Sequence, residues 1–204
     1  MKMSASLTIR AVTSLEEFKG LAREWEQLLR TMPGHSLFLT WEWLYYWGKH
    51  YLGQNQLRIL LAFDDHERLV GIAPFYLRRA KAHGVIPFRE LRFLGSEAVS
   101  SSYRDVITNE QHKPALLQSL YRYLFNEARK DWDILTLSEV PAESSTLDLW
   151  NELFDEAGKV GEVVSTTCCP VIRLPVDIET LRAGLGRSRR YTLQRKTKCL
   201  QGAG

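Results

Sequence analysis

Two β-prone runs joined by a polar turn restrict the fold of this 204-residue sequence more than any other feature. The runs are Leu57–Phe63 and Leu69–Leu77, and residues 64–67 between them are Asp, Asp, His and Glu. Apolar runs of this length on either side of a polar turn predict an antiparallel hairpin. Pro74 in the second run removes one backbone donor and predicts a bulge or an edge position. The sequence therefore predicts a domain built on a β-sheet.

Helical and β-prone segments alternate around this hairpin. Apolar residues at helical spacing predict helices that begin after Ser14, after Thr40, near Pro114 and after Ser144 or Ser145. Further strands are predicted at Leu7–Val12, Phe88–Leu94, Tyr103–Thr108, Ile134–Ser138, Val160–Thr166 and Pro170–Leu174. The order β-α-α-β-β-β-α-β-α-β-β predicts an α/β (α+β) fold with a mixed central sheet of about seven strands and about four flanking helices.

The charge of the chain changes near its end. From Thr180 onward there are seven basic residues and no acidic one, so that 20 basic and 24 acidic residues precede it. Such a shift is typical of a boundary. We expect one domain over residues 1–175, followed over 176–204 by a basic linker and the first helix of a truncated second domain. Asp177–Leu185 and Arg187–Leu200 are predicted to be helical.

The apolar segments, cysteines and histidines of the sequence bear on the compartment of the protein and on metal binding. The first ten residues carry no apolar segment typical of a secretory signal, and no apolar run approaches the length of a membrane span, which predicts a cytoplasmic protein. Cys168 and Cys169 are expected as buried neighbours on a strand, and Cys199 is isolated. The five histidines share no ligand spacing, so no metal is expected.

Five motifs in order carry a resemblance to a known family. They are Phe38–Trp43 with Trp47, Leu69–Phe75, Leu91–Gly95, Tyr103–Asp105 and Ser188–Lys196. Together they resemble the acetyltransferase-like CelD proteins of bacterial cellulose-biosynthesis clusters, which belong to the GNAT superfamily of N-acetyltransferases. The resemblance spans nearly the whole chain and corresponds to the N-terminal half of such proteins.

The resemblance implies a tandem protein. CelD proteins and the related FemAB-type peptidyltransferases carry two GNAT-like domains, so a second GNAT-like domain is the expected partner of this chain. The parent protein is expected to transfer an acyl group from acetyl-CoA or another acyl-CoA to an amine or hydroxyl of a small molecule or glycan, such as a sugar or polysaccharide precursor.

One segment departs from the superfamily pattern. GNAT enzymes hold the pyrophosphate of acyl-CoA with a loop (Arg/Gln)-x-x-Gly-x-(Gly/Ala) that precedes a helix, where glycines let backbone N–H groups approach the phosphates. Here Thr108–Pro114 contains no glycine, carries Glu110 where the anion would lie, and loses one donor at Pro114. A carboxylate repels a phosphate in a partly desolvated site. We therefore expect this fragment to bind no acyl-CoA, the acyl-CoA site being in the second domain.

The candidate site residues lie in two places, in the segment that follows the fourth predicted strand and in the second predicted helix. Asp105 and Tyr103 are the predicted catalytic residues, because a carboxylate after a strand can orient or deprotonate an amine or hydroxyl. Trp41, Tyr45 and Arg104 are the predicted substrate-binding residues, since aromatic rings stack on the apolar faces of sugars. Structural roles stay open for both groups: a strand-end aspartate bonded to the backbone, and aromatic rings packed in the core.

The basic tail is a further candidate. Arg189, Arg190 and Arg195 are predicted to contact phosphate, either of CoA once the second domain is present or of nucleic acid. A solvated linker helix is the alternative. Two further functions stay open: a non-catalytic binding or scaffold module of an exopolysaccharide system, and a FemAB-like aminoacyl-tRNA-dependent transferase, for which tRNA would be the partner.

Overall fold

The computed structural model describes residues 7–32, 34–96, 99, 101–165, 168–170 and 173–202. Contacts between residues divide the chain into two units, Met1–Thr166 and Thr167–Gly204. Each unit is therefore described by itself.

A mixed sheet forms the centre of the first unit. Its strands are β1 (Thr8–Val12), β2 (Gln56–Phe63), β3 (Leu69–Ala82), β4 (Ile86–Phe93) and β5 (Ile134–Thr136). They are hydrogen-bonded in sequence order, and every pair is antiparallel except β4 with β5, which are parallel. The predicted hairpin and the predicted α+β class are confirmed.

Five helices cover the two faces of this sheet, and two more form the second unit. The helices are α1 (Leu15–Gly20), α2 (Ala22–Leu29), α3 (Trp41–Tyr51), α4 (Lys113–Arg122), α5 (Ser145–Glu156), α6 (Ile178–Gly184) and α7 (Arg187–Gln201). Helices α1–α3 pack on one face through a core that includes Phe18, Trp25 and Tyr76. Helices α4 and α5 pack on the other face, around Phe75 and Leu117.

Local capping chemistry places the helix starts where the sequence predicts them. The side chains of Ser14, Thr40 and Ser144 each accept a backbone N–H bond at the first turn of α1, α3 and α5. Glu17 closes a capping box with Ser14. The predicted first helix is nevertheless divided at Leu21 into α1 and α2.

The prediction of two closing strands is wrong for the described residues. Residues 160–165, 168–170, 173 and 174 are not in a strand, and the described part of the chain has five strands rather than seven. The described part of the first unit has five α-helices rather than four, because the first predicted helix is divided, and the two helices predicted after residue 176 are present as α6 and α7. The side chains here are exposed, as at Val160 and Leu174. A β-prone sequence forms a strand only where it finds a pairing partner and a surface to pack on. Cys168 and Cys169 are consequently exposed rather than buried.

The predicted strand Tyr103–Thr108 is reduced to a single bridge. The backbone of Ile107 exchanges two hydrogen bonds with Ile72 of β3, at 2.8 and 2.9 Å. β4 ends at Phe93, and the N–H of the next residue, Leu94, donates to the Pro74 carbonyl at 2.7 Å. The described residues between Leu94 and Ile107 (95, 96, 99 and 101–106), here called the excursion, are not in a strand, and Ile107 then takes the place beside β3. Pro74 of β3 is thus bonded on the β4 side by Leu94 and lies two positions from Ile72, which Ile107 bridges.

The second unit contains α6 and α7. Asp177 caps α6 by accepting the Thr180 N–H at 2.7 Å. The described residues of both helices include none that is buried. Isolated helices of this kind gain little stability without a surface to pack on.

Candidate functional site at the carboxyl ends of β4 and β5

The β4–α4–β5 segment forms the one parallel pairing among the described strands. The pairing covers three residues of each strand, Glu90–Arg92 with Ile134–Thr136, and the two chains then continue as separate segments. Ligands in open α/β sheets bind outside the carboxyl ends of parallel strands. The described residues of the excursion follow the end of β4, and residues 137–144 follow the end of β5. The predicted residues Tyr103, Arg104 and Asp105 belong to the excursion.

Asp105 is a buried carboxylate whose two oxygens are both occupied. Oδ1 accepts the Val106 N–H at 2.7 Å and the Thr146 hydroxyl at 2.6 Å. Oδ2 accepts the Ser144 hydroxyl at 2.5 Å and lies 3.8 Å from the ammonium of Lys113. Asp105 thus connects the loop after β4 to the first turns of α4 and α5.

An ion pair between Glu110 and Lys113 occupies the first turn of α4. Lys113 is buried, and its Nζ lies 2.7 Å from Oε1 of the exposed Glu110. The Ser145 hydroxyl donates to the other Glu110 oxygen at 3.2 Å. The side-chain hydrogen bond from Lys113 is the largest cause that lowers the pKa of Glu110 below its ordinary value. The carboxylate predicted to repel an anion is therefore held in place by an ion pair.

The backbone of this turn is also engaged. The Asn109 carbonyl accepts the N–H groups of His112 and Lys113, both at 3.2 Å, and the Asn109 side chain accepts His112 N–H as well. Pro114 has no N–H to offer. Several donors that a phosphate would need at this helix start are already used or absent.

Arg104 is buried with only part of its guanidinium bonded. Its exposed fraction is 4%. Nη2 donates to the Ser138 hydroxyl at 3.0 Å, whereas Nε and Nη1 have no hydrogen-bond partner in the described part of the chain. Burial, with a smaller contribution from the nearby charge of Arg92, lowers the pKa of Arg104 to about 10.

Polar residues of β3, β4 and β5 form a ladder, centred on Glu90, across one face of the sheet. Glu90 Oε2 accepts two bonds from the Arg78 guanidinium, at 3.1 and 2.7 Å, and lies 3.8 Å from Arg92 Nη1. Glu90 Oε1 accepts the Thr136 hydroxyl at 2.7 Å. Residues i and i+2 of a strand share a face, so Glu90 and Arg92 on β4 face the same side as Thr136 on β5.

The backbone around Arg104 is unusual on both sides of the site. Tyr103 and Glu139 have φ values of +54° and +60°, in the left-handed region that non-glycine residues rarely adopt. The Arg104 N–H donates to the Glu139 carbonyl at 3.0 Å and so joins the two segments. Tyr103, predicted as catalytic, is partly exposed beside this junction.

Trp41 and Tyr45 lie on α3, where they pack against each other and against α1. Their rings stack at a centroid distance of 4.6 Å, and Trp41 Nε1 donates to the Phe18 carbonyl at 2.9 Å. A different residue of α3 contacts the excursion: Trp43 Nε1 donates to the Ser101 hydroxyl at 3.0 Å. The structure thus brings Arg104 and Asp105 into one region and gives Trp41 and Tyr45 partners in the α1–α3 core.

The predicted phosphate-contacting residues Arg189, Arg190 and Arg195 are exposed on α7 of the second unit. The described residues contain no cluster of His, Cys, Asp and Glu side chains able to hold a metal ion. Within the described ranges, no helix combines the length and apolar character that crossing a bilayer requires.

Sequence reasoning missed several members of the site. Lys113, Thr146, Ser138 and Glu139 were not candidates, because their roles depend on contacts distant in sequence. The sequence does contain a pattern that could have predicted the ladder. Glu90 and Arg92 alternate with the apolar residues Leu91 and Phe93 in β4, and such alternation indicates one polar face of a strand. The prediction that Ser144 or Ser145 caps a helix was confirmed at Ser144, but the bond from Ser144 to Asp105 was not predicted.

Comparisons with known proteins give likenesses of structure alone. No protein-family model matches the sequence, and no curated protein matches it. A tetramutant of the BH1408 protein from Bacillus halodurans has a TM-score of 0.45 and 12% identity, covering 80% of this chain and 99% of that chain. Ribosomal-protein-alanine N-acetyltransferase from Brucella melitensis has a TM-score of 0.42 and 16% identity, covering 83% and 100%.

Glucosamine-6-phosphate N-acetyltransferase from Arabidopsis thaliana has a TM-score of 0.41 and 10% identity, covering 80% of this chain and 98% of that chain. At such scores the functional argument rests on the residues of this chain. Its fold and site define an α+β domain with a buried polar site at the carboxyl ends of two parallel strands.

Proposed function

We propose that this chain is a GNAT-like domain of a cytoplasmic acyltransferase and does not itself hold acyl-CoA at the start of α4. The parent protein transfers an acyl group from acetyl-CoA or another acyl-CoA to an amine or hydroxyl of a sugar or polysaccharide precursor, with the acyl-CoA site in a second GNAT-like domain. Support comes from the five motifs that resemble the CelD family and from one feature of α4.

That feature is the ion pair at the first turn of α4. A phosphate placed there would have to displace Glu110 from Lys113, 2.7 Å away, and would meet the negative charge of Asp105 behind it. The backbone donors of His112 and Lys113 are bound to Asn109. Two like charges in a partly desolvated site repel by several kcal/mol, about as much as a good phosphate contact provides.

Calorimetric titration with acetyl-CoA tests this proposal. We expect no binding heat from these 204 residues at ligand concentrations up to about 1 mM, and saturable binding from the longer parent protein. Micromolar affinity of the 204-residue chain would contradict the proposal. Absence of binding by the parent would contradict the assignment to an acyltransferase.

A second candidate function is a non-catalytic binding module. It is favoured by the state of Asp105, whose two oxygens are engaged by Val106, Thr146 and Ser144 and are therefore poorly placed to accept a substrate proton. The two candidate functions predict different acyl-transfer activities for the parent protein. If Asp105 or Tyr103 is catalytic, Tyr103→Phe and Asp105→Asn lower kcat, whereas in a binding module acyl transfer is absent in the wild type as well.

A further inference from the structure

The β3–β4 hairpin projects beyond the rest of the sheet. β2 begins opposite Leu77 of β3, and β5 begins opposite Glu90 of β4. Beyond these positions the two strands pair only with each other, over Arg78–Ala82 and Ile86–Arg89. Five strand residues extend by about 17 Å. Residues 78–89 are here called the projecting hairpin.

The tip of the projecting hairpin is apolar and exposed. Val85 and Ile86 have exposed fractions of 73% and 60%. The turn is closed by the Val85 N–H, which donates to the Ala82 carbonyl at 3.1 Å. Two neighbouring aliphatic side chains are thus held in water, and their transfer to an apolar phase is favourable.

The two faces of the projecting hairpin differ in character. Side chains alternate between the faces of a strand, and opposite residues of an antiparallel pair share a face. Arg79 and Lys81 therefore lie on one face. The other face carries apolar residues, namely Ala80, Ala82, Ile86 and Phe88.

The projecting hairpin also carries positive charge that the chain does not neutralise. It contains no acidic residue. Arg78 and Arg89, at its base, are paired with carboxylates of the chain. Arg79 and Lys81 are exposed and have no carboxylate partner in the described ranges. These two cations favour an anionic partner, whereas the tip favours one with an apolar phase.

We propose that the projecting hairpin binds the surface of an anionic lipid bilayer, with Val85 and Ile86 in the interfacial layer and Arg79 and Lys81 beside the headgroup phosphates. The inference goes beyond the proposed acyl transfer, because it needs neither acyl-CoA nor a second domain.

The spacing along the strands fits this partner. Ile86 is opposite Ala82, so Lys81 and Arg79 lie one and three residues behind the tip, about 3 and 10 Å. The headgroup layer of one leaflet is about 5–8 Å thick. Both cations therefore reach the headgroups when the tip lies at the inner boundary of that layer. A nucleic acid would neutralise the cations but offers no apolar phase, and a second copy would bring like charges together.

Vesicle sedimentation with the 204-residue chain tests the proposal. At about 0.1 M salt, we expect half-saturation at about 1 mM lipid with vesicles of about 30% phosphatidylserine in phosphatidylcholine, and at least about tenfold weaker binding to phosphatidylcholine alone. No binding to the anionic vesicles would overturn the proposal. Because α7 is also basic, variants are needed to locate the contact.

Val85→Ser with Ile86→Ser removes the apolar tip and keeps every charge. We expect vesicle binding to weaken by at least about tenfold. The matched control, Val160→Ser with Leu174→Ser, changes two other exposed apolar residues and is expected to bind like the wild type. A tip variant that binds like the wild type overturns the proposal.

Arg79→Gln with Lys81→Gln tests the charges. We expect at least about tenfold weaker binding, since each basic residue near an anionic surface contributes about fivefold. Lys19→Gln with Arg23→Gln removes the same charge from exposed positions of α1 and α2, and its effect is expected to stay below about threefold because of screening. Equal effects of the two pairs contradict the assigned contact.

NMR of valine and isoleucine methyl groups gives a direct readout. Anionic bicelles that contain a nitroxide-labelled lipid are expected to broaden the signals of Val85 and Ile86 but not that of Val160. Tip signals that respond to protein concentration or to duplex DNA, and not to the bicelles, would indicate a second copy or a nucleic acid and overturn the proposal.

Discussion

Asp105 joins three parts of the first unit through one carboxylate. Its partners are the Val106 backbone, the hydroxyls of Ser144 and Thr146, and the ammonium of Lys113. A buried carboxylate with this many donors is stabilising only while each donor keeps its acceptor. Asp105 therefore has a structural role in the contacts between these elements, and its catalytic role stays a prediction.

Replacing Asp105 tests that structural part. Asp105→Ala leaves the Ser144 and Thr146 hydroxyls without their acceptor and leaves buried Lys113 with Glu110 alone. We expect a loss of about 2–4 kcal/mol in the free energy of unfolding, measured by urea denaturation. The matched control is Asp65→Ala at an exposed turn, expected to change stability by less than about 0.5 kcal/mol. Equal effects of the two variants would contradict the assigned role.

The Glu110–Lys113 pair predicts a pH effect with a defined sign. The pKa of Glu110 is lowered in the folded state, chiefly by the hydrogen bond from Lys113. Its contribution to stability is therefore present above the ordinary value of 4.5 and is lost as pH falls through the folded-state pKa. Carboxyl NMR titration is expected to give a midpoint below 4.5 in the wild type and a higher one in Lys113→Met. A midpoint that does not respond to Lys113→Met would show that the pair is not formed.

The packing of α4 on β3 fixes where the candidate site lies. β3 approaches α4 at Gly71, where a Cβ atom would come within 2.7 Å of Leu116 Cδ1. Only a residue without a side chain permits this separation, so the helix start is held close to the sheet. Gly95 has a related role at the start of the excursion, since its φ of +91° favours glycine.

Gly71→Ala is expected to move α4 away from β3 and to destabilise the domain by about 1–3 kcal/mol, through overpacking in the core. Thermal or urea unfolding measures this. The control is Gly20→Ala, where nothing lies within 4 Å of the added Cβ. Adding Leu116→Ala makes room for the new methyl group, so the double variant should lose less than the sum of the single variants. Strict additivity would contradict the close contact.

The sequence predicts elements well where the determinants are local. The starts of α1, α3 and α5 follow from Ser14, Thr40 and Ser144, because a cap needs only residues a few positions away. The strands predicted over 160–166 and 170–174 failed where described, because a β-prone sequence does not specify its pairing partner. The break at Leu21 follows Gly20, a weak helix former, but the apolar helical spacing continues through it, so the pattern predicted one helix.

The candidate site was predicted only in part for the same reason. Tyr103, Arg104 and Asp105 were found from their place after a β-prone run. Their partners Ser138, Glu139 and Thr146 lie 34 or more residues away, so only the fold brings them near. The excursion between Leu94 and Ile107 likewise depends on two separate segments meeting β3.

The molecule as a whole combines a well-packed unit with one whose described residues are largely exposed. The first has a core on both faces of its sheet. In the second, the described residues of α6 and α7 include none that is buried, and Tyr191 and Leu200 are exposed. This agrees with the proposal that residues near the end of the chain belong to a further domain.

Hydrogen exchange is expected to distinguish the two units. Amides of β2 and β3 should exchange only with global unfolding, whereas α7 amides should have protection factors below about 10, because a lone helix opens readily. In the proposed longer parent, α7 amides should become protected. High protection of α7 in the 204-residue chain would contradict the proposed need for a further domain.

The central claim is that the chain's own side chains close the start of α4 to a diphosphate. Amide NMR spectra recorded with about 1 mM coenzyme A test it most directly, since binding at a helix start shifts the nearest N–H signals. We expect the amide signals of residues 109–116 to stay unchanged. Saturable shifts of those signals would show that the diphosphate binds there and would contradict the account.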